Sequence, residues 1–385
     1  MTCMKGLVMT EHFPSAADVA PLMESFDERL ARILLTECME SANALMTALL
    51  KGFDGAYPAS QALHALLAIA VASNEAAESR AWSAAERVFI LGTARWGRKA
   101  HARGVDAFKH AAAHWIERLE QLPTFHPDEL QDIYTEHGDY QVVVPGDLSW
   151  PISLNDLELR SDWAPPLALW LQGDIQALTA CERPLSVVGS RGVNDYGRHV
   201  ARTLACQTAL NGHTVVSGGA IGADAAAHWG ALDAMAQLGP DVAGPTIAVF
   251  AGGLNHCGPL SNMRLFEQIR MQHGALISEC VPSTVPEARR FLLRNRIIAA
   301  LSYTVVVAQA RLRSGALNTA GWANELNRRL FAAPGDITMP SHAGCNKLIA
   351  DQEAYLLSST SNIDEICHES HEPRKVGKSA LTTFA

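Results

Sequence analysis

Apolar residues recur at helical spacing through the first third of the chain, then gather into short unbroken runs. The change falls near residue 139. From Phe26 to about His137 the pattern is helical: "FDERLARILLTECMESANALMTALLKG" sets Leu30, Ile33, Leu34, Cys38, Leu45 and Leu49 on a buried face and stops at Gly52. The segment "AFKHAAAHWIERLEQL" repeats it with Phe108, Ala112, Trp115, Ile116 and Leu119. No strand signal interrupts this stretch, which predicts a helical domain over 21–138 behind a loose leader over 1–20.

At "DYQVVVPGDLSWP" a β-branched run and a Pro-Gly turn appear, followed by the proline-dotted "SDWAPPLALWLQGD". Beyond it, "LSVVG", "TVVSG", "TIAVF", "ALISE", "TVVVA" and "LFAAP" are six predicted strands. Helical segments over 196–210, 224–237, 260–272, 292–301 and 315–328 separate them. Fully apolar strands alternating with helices predict an α/β fold, an extended Rossmann-like doubly wound sheet, mostly parallel, over 139–360. The polar stretch over 361–385 has no apolar period and is expected to be a flexible tail. In such sheets ligands bind outside the carboxyl ends of the strands.

Composition narrows the class. The chain has 385 residues, 48% of them apolar and 18% charged, which is a globular balance. Its net charge of -9 argues against a uniformly basic nucleic-acid coat, so any polyanion site must be a local patch. The eight cysteines are scattered without a CxxC pair, as in a reducing cytosol. The most apolar window, "ALHALLAIAVA", is far short of the roughly 20 residues that cross a bilayer. A cytoplasmic protein with no membrane partner is expected.

Candidate chemistry lies at the strand ends. Gly189-Ser190-Arg191-Gly192 follows the first strand, "SGGAIGAD" (217–224) the second, Gly252-Gly253-Leu254 the third, and "RLRSGALNT" the fifth. Small residues let an anion approach backbone N–H groups, and a following helix adds its dipole. Neither the dinucleotide fingerprint GxGxxG nor the Walker pattern is present, so nothing points to a nicotinamide cofactor or to ATP hydrolysis. Arginines 289, 290, 294, 296, 311, 313, 328 and 329 face only Glu287 and Glu325 in one stretch, a local footprint for phosphate. Asp224 and His228 share a helix face and Glu279 ends the fourth strand. Neither makes a recognisable catalytic or metal set, and no catalytic residue, metal or cofactor is expected.

The motifs "LSVVGSRGVNDYG", "VVSGGAIGADAAAH", "TIAVFAGGLN", "GALISE", "FLLRNRIIAALS", "RSGALNTA", "AAPGD" and "GCNKLIAD" together resemble the DNA-processing protein A (DprA/Smf) family, in order and with family-like spacing. The helical half is similar to that family's SAM-like or helix-hairpin-helix module. The resemblance implies single-stranded DNA binding, homodimerisation, and delivery of incoming DNA to the RecA recombinase during natural transformation, without an enzymatic step. Carried over by position, the DNA site comprises Gly189, Ser190, Arg191, Ser217, Gly218, Gly219, Gly222, Asp224, Arg294, Asn295, Arg296, Ser314 and Gly315. The sequence departs from the family's pattern where "SGGAIGAD" lacks the usual loop arginine and "GLNHCGP" lacks the usual tyrosine, which lowers local charge and stacking. The competing expectation is a small-nucleotide-binding, phosphoribohydrolase-like enzyme of a related Rossmann family, with Glu279 or Asp224 as its acid.

Overall fold

The computed structural model describes residues 26–39, 42–159, 164–361 and 366. They fall into two compact units, the first formed by Met1–Ile175, Phe250–Cys257 and Ile277–Arg290, the second by Gln176–Val249, Gly258–Leu276 and Phe291–Ala385. The leader expected over 1–20 lies outside the described residues. So does the tail expected over 361–385, apart from Ser361 and Ile366.

The first unit contains α1 (Glu28–Met39), α2 (Ala44–Gly52), α3 (Pro58–Ala70), α4 (Glu75–Arg95), α5 (Ala102–Leu119) and α6 (Pro127–Tyr134). Local chemistry sets their starts. Asp27 Oδ1 accepts from Leu30 N at 2.7 Å, Asn43 Oδ1 from Leu45 N at 2.8 Å, and Asn74 Oδ1 from Ala77 N at 2.9 Å. Proline occupies the first position of α3 and α6, where its missing N–H costs nothing. The Glu28 carboxylate accepts from Ala59 N at 3.0 Å and Ser60 N at 3.1 Å, so α1 supplies the anion at the N-terminus of α3. The sequence reads 26–52 as one helical pattern; the structure makes two helices of it, with Asn43 capping the second.

Packing then fixes the bundle. Phe89 and Phe108 stack at 4.3 Å between α4 and α5. A Cβ on Gly92 would lie 1.8 Å from Ala48 O, so α2 and α4 cross backbone to backbone. Downstream, β1 (Gln141–Val143) and β2 (Leu169–Gly173) pair antiparallel with Val142 opposite Trp170. Neither is among the six predicted strands. Prolines 165 and 166 mask β2, whose Trp170 is fully buried and donates its indole N–H to Tyr134 O at 2.8 Å.

The second unit alternates strand and helix: β3 (Leu185–Gly189), α7 (Asp195–Leu210), β4 (Val215–Gly218), α8 (Ala223–Leu238), β5 (Thr246–Val249) and α9 (Met263–Met271). The chain passes to the first unit at β6 (Ala275–Ser278) and returns within α10 (Ala288–Ala300). It then forms β7 (Thr304–Gln309), α11 (Gly315–Glu325), β8 (Arg329–Ala332), α12 (Ala343–Ala350) and β9 (Tyr355–Leu356). The strands of this unit lie in the order β5-β4-β3-β7-β8-β9, and the paired neighbours run parallel.

The sheet is covered on both faces. Leu185 and Val187 join Val200, Leu204, Ala227 and Ala231 of α7 and α8 in one core. Between them Ser186 points the other way, its hydroxyl donating to Ile298 O of α10 at 3.3 Å and meeting Ser302 Oγ. That period of two explains why every residue of the run is apolar or satisfied. All six predicted strands are present, and the doubly wound α/β expectation holds. The short β9 and α12 are additional; Ile366, from the expected tail, is buried, with its carbonyl accepting from Thr304 Oγ1 at 3.0 Å.

Candidate nucleic-acid interface

β3 has β4 on one side and β7 on the other, which is where a doubly wound sheet opens its crevice. The loops after these three strands lead into α7, α8 and α11, so three positive helix ends start from one edge. Asn194 Oδ1 caps α7 from Gly197 N at 2.9 Å, and Ser314 Oγ caps α11 from Ala316 N at 3.1 Å. α8 begins at Gly222, which has φ of 87°.

The loops are joined to one another by backbone contacts. Ser190 N donates to Gln309 O at 2.8 Å, and Ala223 N donates to Ser190 O at 3.2 Å. A Cβ on Gly222 would sit 2.4 Å from Ser190 O, and one on Gly189 would sit 2.7 Å from the Ala223 Cβ. Both glycines are therefore required by the close approach of the β3 and β4 loops. Asn262, which the sequence does not signal, donates its amide to the carbonyls of Gly219 and Ala220 at 3.1 Å each and holds the far side of the β4 loop.

Beneath the loops lies a buried charge pair. Asp224 and Arg294 are each 7% exposed, and an Arg294 Nη1 hydrogen goes to Val249 O at the end of β5. Burial pushes the Asp224 carboxyl up to about 6, opposed by the Arg294 charge, and burial likewise lowers Arg294. Ser217 is fully buried and donates to Val187 O at 2.6 Å. His228 is buried too, its Nε2–H donating to Gly218 O at 2.9 Å with Thr246 Oγ1 2.7 Å from Nδ1, and burial holds it down at about 4. The i, i+4 pair of Asp224 and His228 is thus structural. Among the described residues no three His, Cys, Asp or Glu side chains gather as metal ligands.

The arginine run divides into two classes. Arg294, Asn295 and Arg296 are all buried, so the cations expected to form a phosphate-facing patch lie under the surface instead. Asn295 works as a tie, donating to Gly315 O at 3.2 Å and Asn318 Oδ1 at 3.1 Å. Arg328 caps the end of α10, donating to Ala300 O at 3.0 Å. In these loops the solvent-facing cations are Arg191 after β3 and Arg311 and Arg313 after β7; Arg289 of the run also faces solvent and pairs with Glu287 at 2.9 Å. Arg191 holds its guanidinium 5.3 Å from the centroid of the half-exposed Phe291. Sequence reasoning counted Arg311 and Arg313 only as bulk charge and missed Phe291; two arginines flanking Leu312 just before the Ser-Gly start of a helix in "RLRSG" were the readable signal for the first two.

Two further expectations change. Gly252 and Gly253 belong to the first unit, where a Cβ on Gly253 would lie 2.1 Å from Val281 O. Their size serves packing rather than an anion cradle, so three loops, not four, converge in the second unit. Glu279 also belongs to the first unit, whereas Asp224 belongs to the second.

Chemically, three helix N-termini, small loop residues and exposed arginines suit an extended anion, while the buried Asp224 and Arg294 pair stiffens the floor. Similar proteins share this architecture. The chain is 39% identical over 228 residues to DNA processing protein DprA of Mycobacterium tuberculosis, covering 58% of this chain and 56% of the relative. It therefore spans little more than half of that relative's length. The structure of DprA from Streptococcus pneumoniae matches with a TM-score of 0.58 and 26% identity, over 84% of this chain and 96% of that one. DNA processing protein A from Helicobacter pylori, studied for its single-stranded DNA binding mode, matches with a TM-score of 0.50 and 28% identity, over 58% of this chain and 93% of that one. Residues 141–370 match the family described as DNA recombination-mediator protein A. With more than half of its length under that match, the chain belongs to the DNA recombination-mediator protein A family.

Proposed function

We propose that the second unit binds the backbone of single-stranded DNA across the loops after β3, β4 and β7. The observation that carries this reading is Arg191, an exposed guanidinium set where those loops interlock and beside an aromatic ring. Arg191, Arg311 and Arg313 supply charge to phosphates. Ser190, Gly219, Ser314 and Gly315 allow close approach, Gly189, Gly218 and Gly222 pack the loops that carry them, and Phe291 offers a face for a base. Asp224, Arg294, Asn295 and Arg296 act from below as supports. Binding of this kind tolerates sequence and weakens steeply with salt.

The family and the H. pylori neighbour support the DNA reading. Within it, the chain acts in the cytoplasm as a homodimeric, non-enzymatic mediator that passes incoming strands to RecA during natural transformation. The test is strand exchange by RecA on strands covered with single-strand binding protein. The chain is expected to relieve the block, and Arg191→Ala to do so poorly. No relief by the wild type would overturn the mediator role. The phosphoribohydrolase reading predicts release of free base from a nucleoside monophosphate; the burial of Asp224 beneath the loops argues against it as the acid.

A further inference from the structure

Both ends of the loop that carries Arg191 are pinned to one residue. Ser190 N donates to Gln309 O at 2.8 Å, and Asn194 N donates to Gln309 Oε1 at 2.9 Å. Gln309, the last residue of β7, is fully buried, and its side chain is wedged against α7: a Cβ on Gly197 would sit 2.9 Å from Oε1. Because Oε1 faces a backbone donor, the amide presents Nε2 on its other side, 3.2 Å from His342 Nε2. Asn194 is oriented by the same logic. Its Oδ1 accepts from Gly197 N at 2.9 Å, so the atom 3.4 Å from His342 Nε2 is its Nδ2 donor. Two amide N–H groups therefore converge on one imidazole nitrogen. That nitrogen must accept, and the neutral ring carries its proton on Nδ1.

His342 is held in turn. It is buried, packs edge to face with Tyr196 of α7 at 5.3 Å, and turns Nδ1 toward Gly335, where a Cβ would lie 2.0 Å away. Asn346 of α12 fixes Gly335 through both backbone groups, accepting from its N–H at 3.1 Å and donating to its carbonyl at 3.0 Å. A continuous set of contacts thus runs from α12 through His342 and Gln309 to the Arg191 loop.

We propose that Gln309 is the positioning residue of the Arg191 loop and that His342 locks its amide, so that the pair sets the guanidinium where a DNA strand meets it without touching the strand. The proposal rests on the reading of these loops as the DNA interface. Arg191 supplies the charge, and Gln309 supplies its place.

The experiment is a double-mutant cycle read by fluorescence anisotropy of a labelled oligo-dT strand at fixed low salt, with the full chain, Gln309→Met, Arg191→Ala and the double variant. Methionine keeps the length of the side chain and removes both of its hydrogen bonds. Gln309→Met is expected to weaken binding roughly fivefold on its own and less than about twofold beside Arg191→Ala, because residues that act through one another are not additive. Equal weakening in the two backgrounds would overturn the proposal, and so would a Gln309→Met protein that binds as tightly as the wild type. If Gln309→Met does not fold, His342→Leu carries the same cycle, since it unhooks the amide and leaves Gln309 in place. A second measurement needs no DNA: nitrogen-15 NMR of the full chain labelled in histidine, at mildly alkaline pH, with the His342 signals assigned by their loss in His342→Leu. Nε2 is expected to resonate as the unprotonated acceptor and Nδ1 as the protonated nitrogen. A proton on Nε2 would overturn the lock whatever the DNA result. A wild type that binds no oligo-dT while His342 shows the expected tautomer would overturn the DNA reading, and the positioning role with it, while the loop geometry stands.

Discussion

Gly218 lies directly against Arg294: a Cβ on the glycine would sit 2.1 Å from Arg294 Nη1 and 2.6 Å from Asp224 Oδ2. The end of β4, its loop and the buried charge pair therefore form one packed unit. The β4 loop keeps its shape because nothing larger than hydrogen fits between strand and arginine.

Gly218→Ala should displace that arginine, at a cost of about 1–3 kcal/mol typical of overpacking. Chemical denaturation would show a lower midpoint with an unchanged slope. An unshifted midpoint would mean that Arg294 has room to move aside.

Asp224 and His228 should respond to acid in opposite directions. Asp224 binds its proton more tightly folded, at about 6, than unfolded, at 3.8, so its contribution to stability grows as pH falls through that window. His228 is held at about 4 when folded against 6.5 unfolded, so its contribution shrinks over a similar range. Denaturation midpoints of Asp224→Asn between pH 4 and 6.5 should fall more steeply on acidification than those of the wild type. His228→Asn should fall less steeply. The same slope in both variants would contradict the burial assigned to these groups.

Asn295→Ala removes both donors that tie α10 to the start of α11. It should destabilise the fold by about 1–3 kcal/mol, because Gly315 O and Asn318 Oδ1 lose their partner. It should also weaken oligonucleotide binding without changing its salt slope, since no cation is lost. A changed slope would instead mean that losing the tie moves a cation out of the DNA site.

In the first unit, Gly92→Ala would bring a methyl group to 1.8 Å from Ala48 O. The backbones of α2 and α4 must separate to accept it, which should lower the thermal midpoint of the helical bundle. A shift confined to the second unit's transition would contradict this.

These sites show how much of the molecule was legible in the sequence. The six predicted strands and the glycine-bearing loops could be read, because unbroken apolar runs and small residues before helices reflect local physics. β2 could not, since two prolines hide a strand whose burial depends on a distant partner. The direction of the arginines was equally hidden. In "FLLRNRII" nothing local tells whether Arg294 faces solvent or the carboxylate of Asp224, seventy residues away; only the packed sheet decides. Phe291 carried no signal in the sequence, and it remains half-exposed beside Arg191.

The most direct measurement is fluorescence anisotropy of a labelled oligo-dT strand with the wild type and Arg191→Ala across a salt series. The account predicts tight binding at low salt, with Arg191→Ala weaker by roughly tenfold and its salt slope flatter by about 0.7, the share of one released counterion on single strands. Equal affinities and parallel slopes for the two proteins would remove Arg191 and its loops from the DNA site.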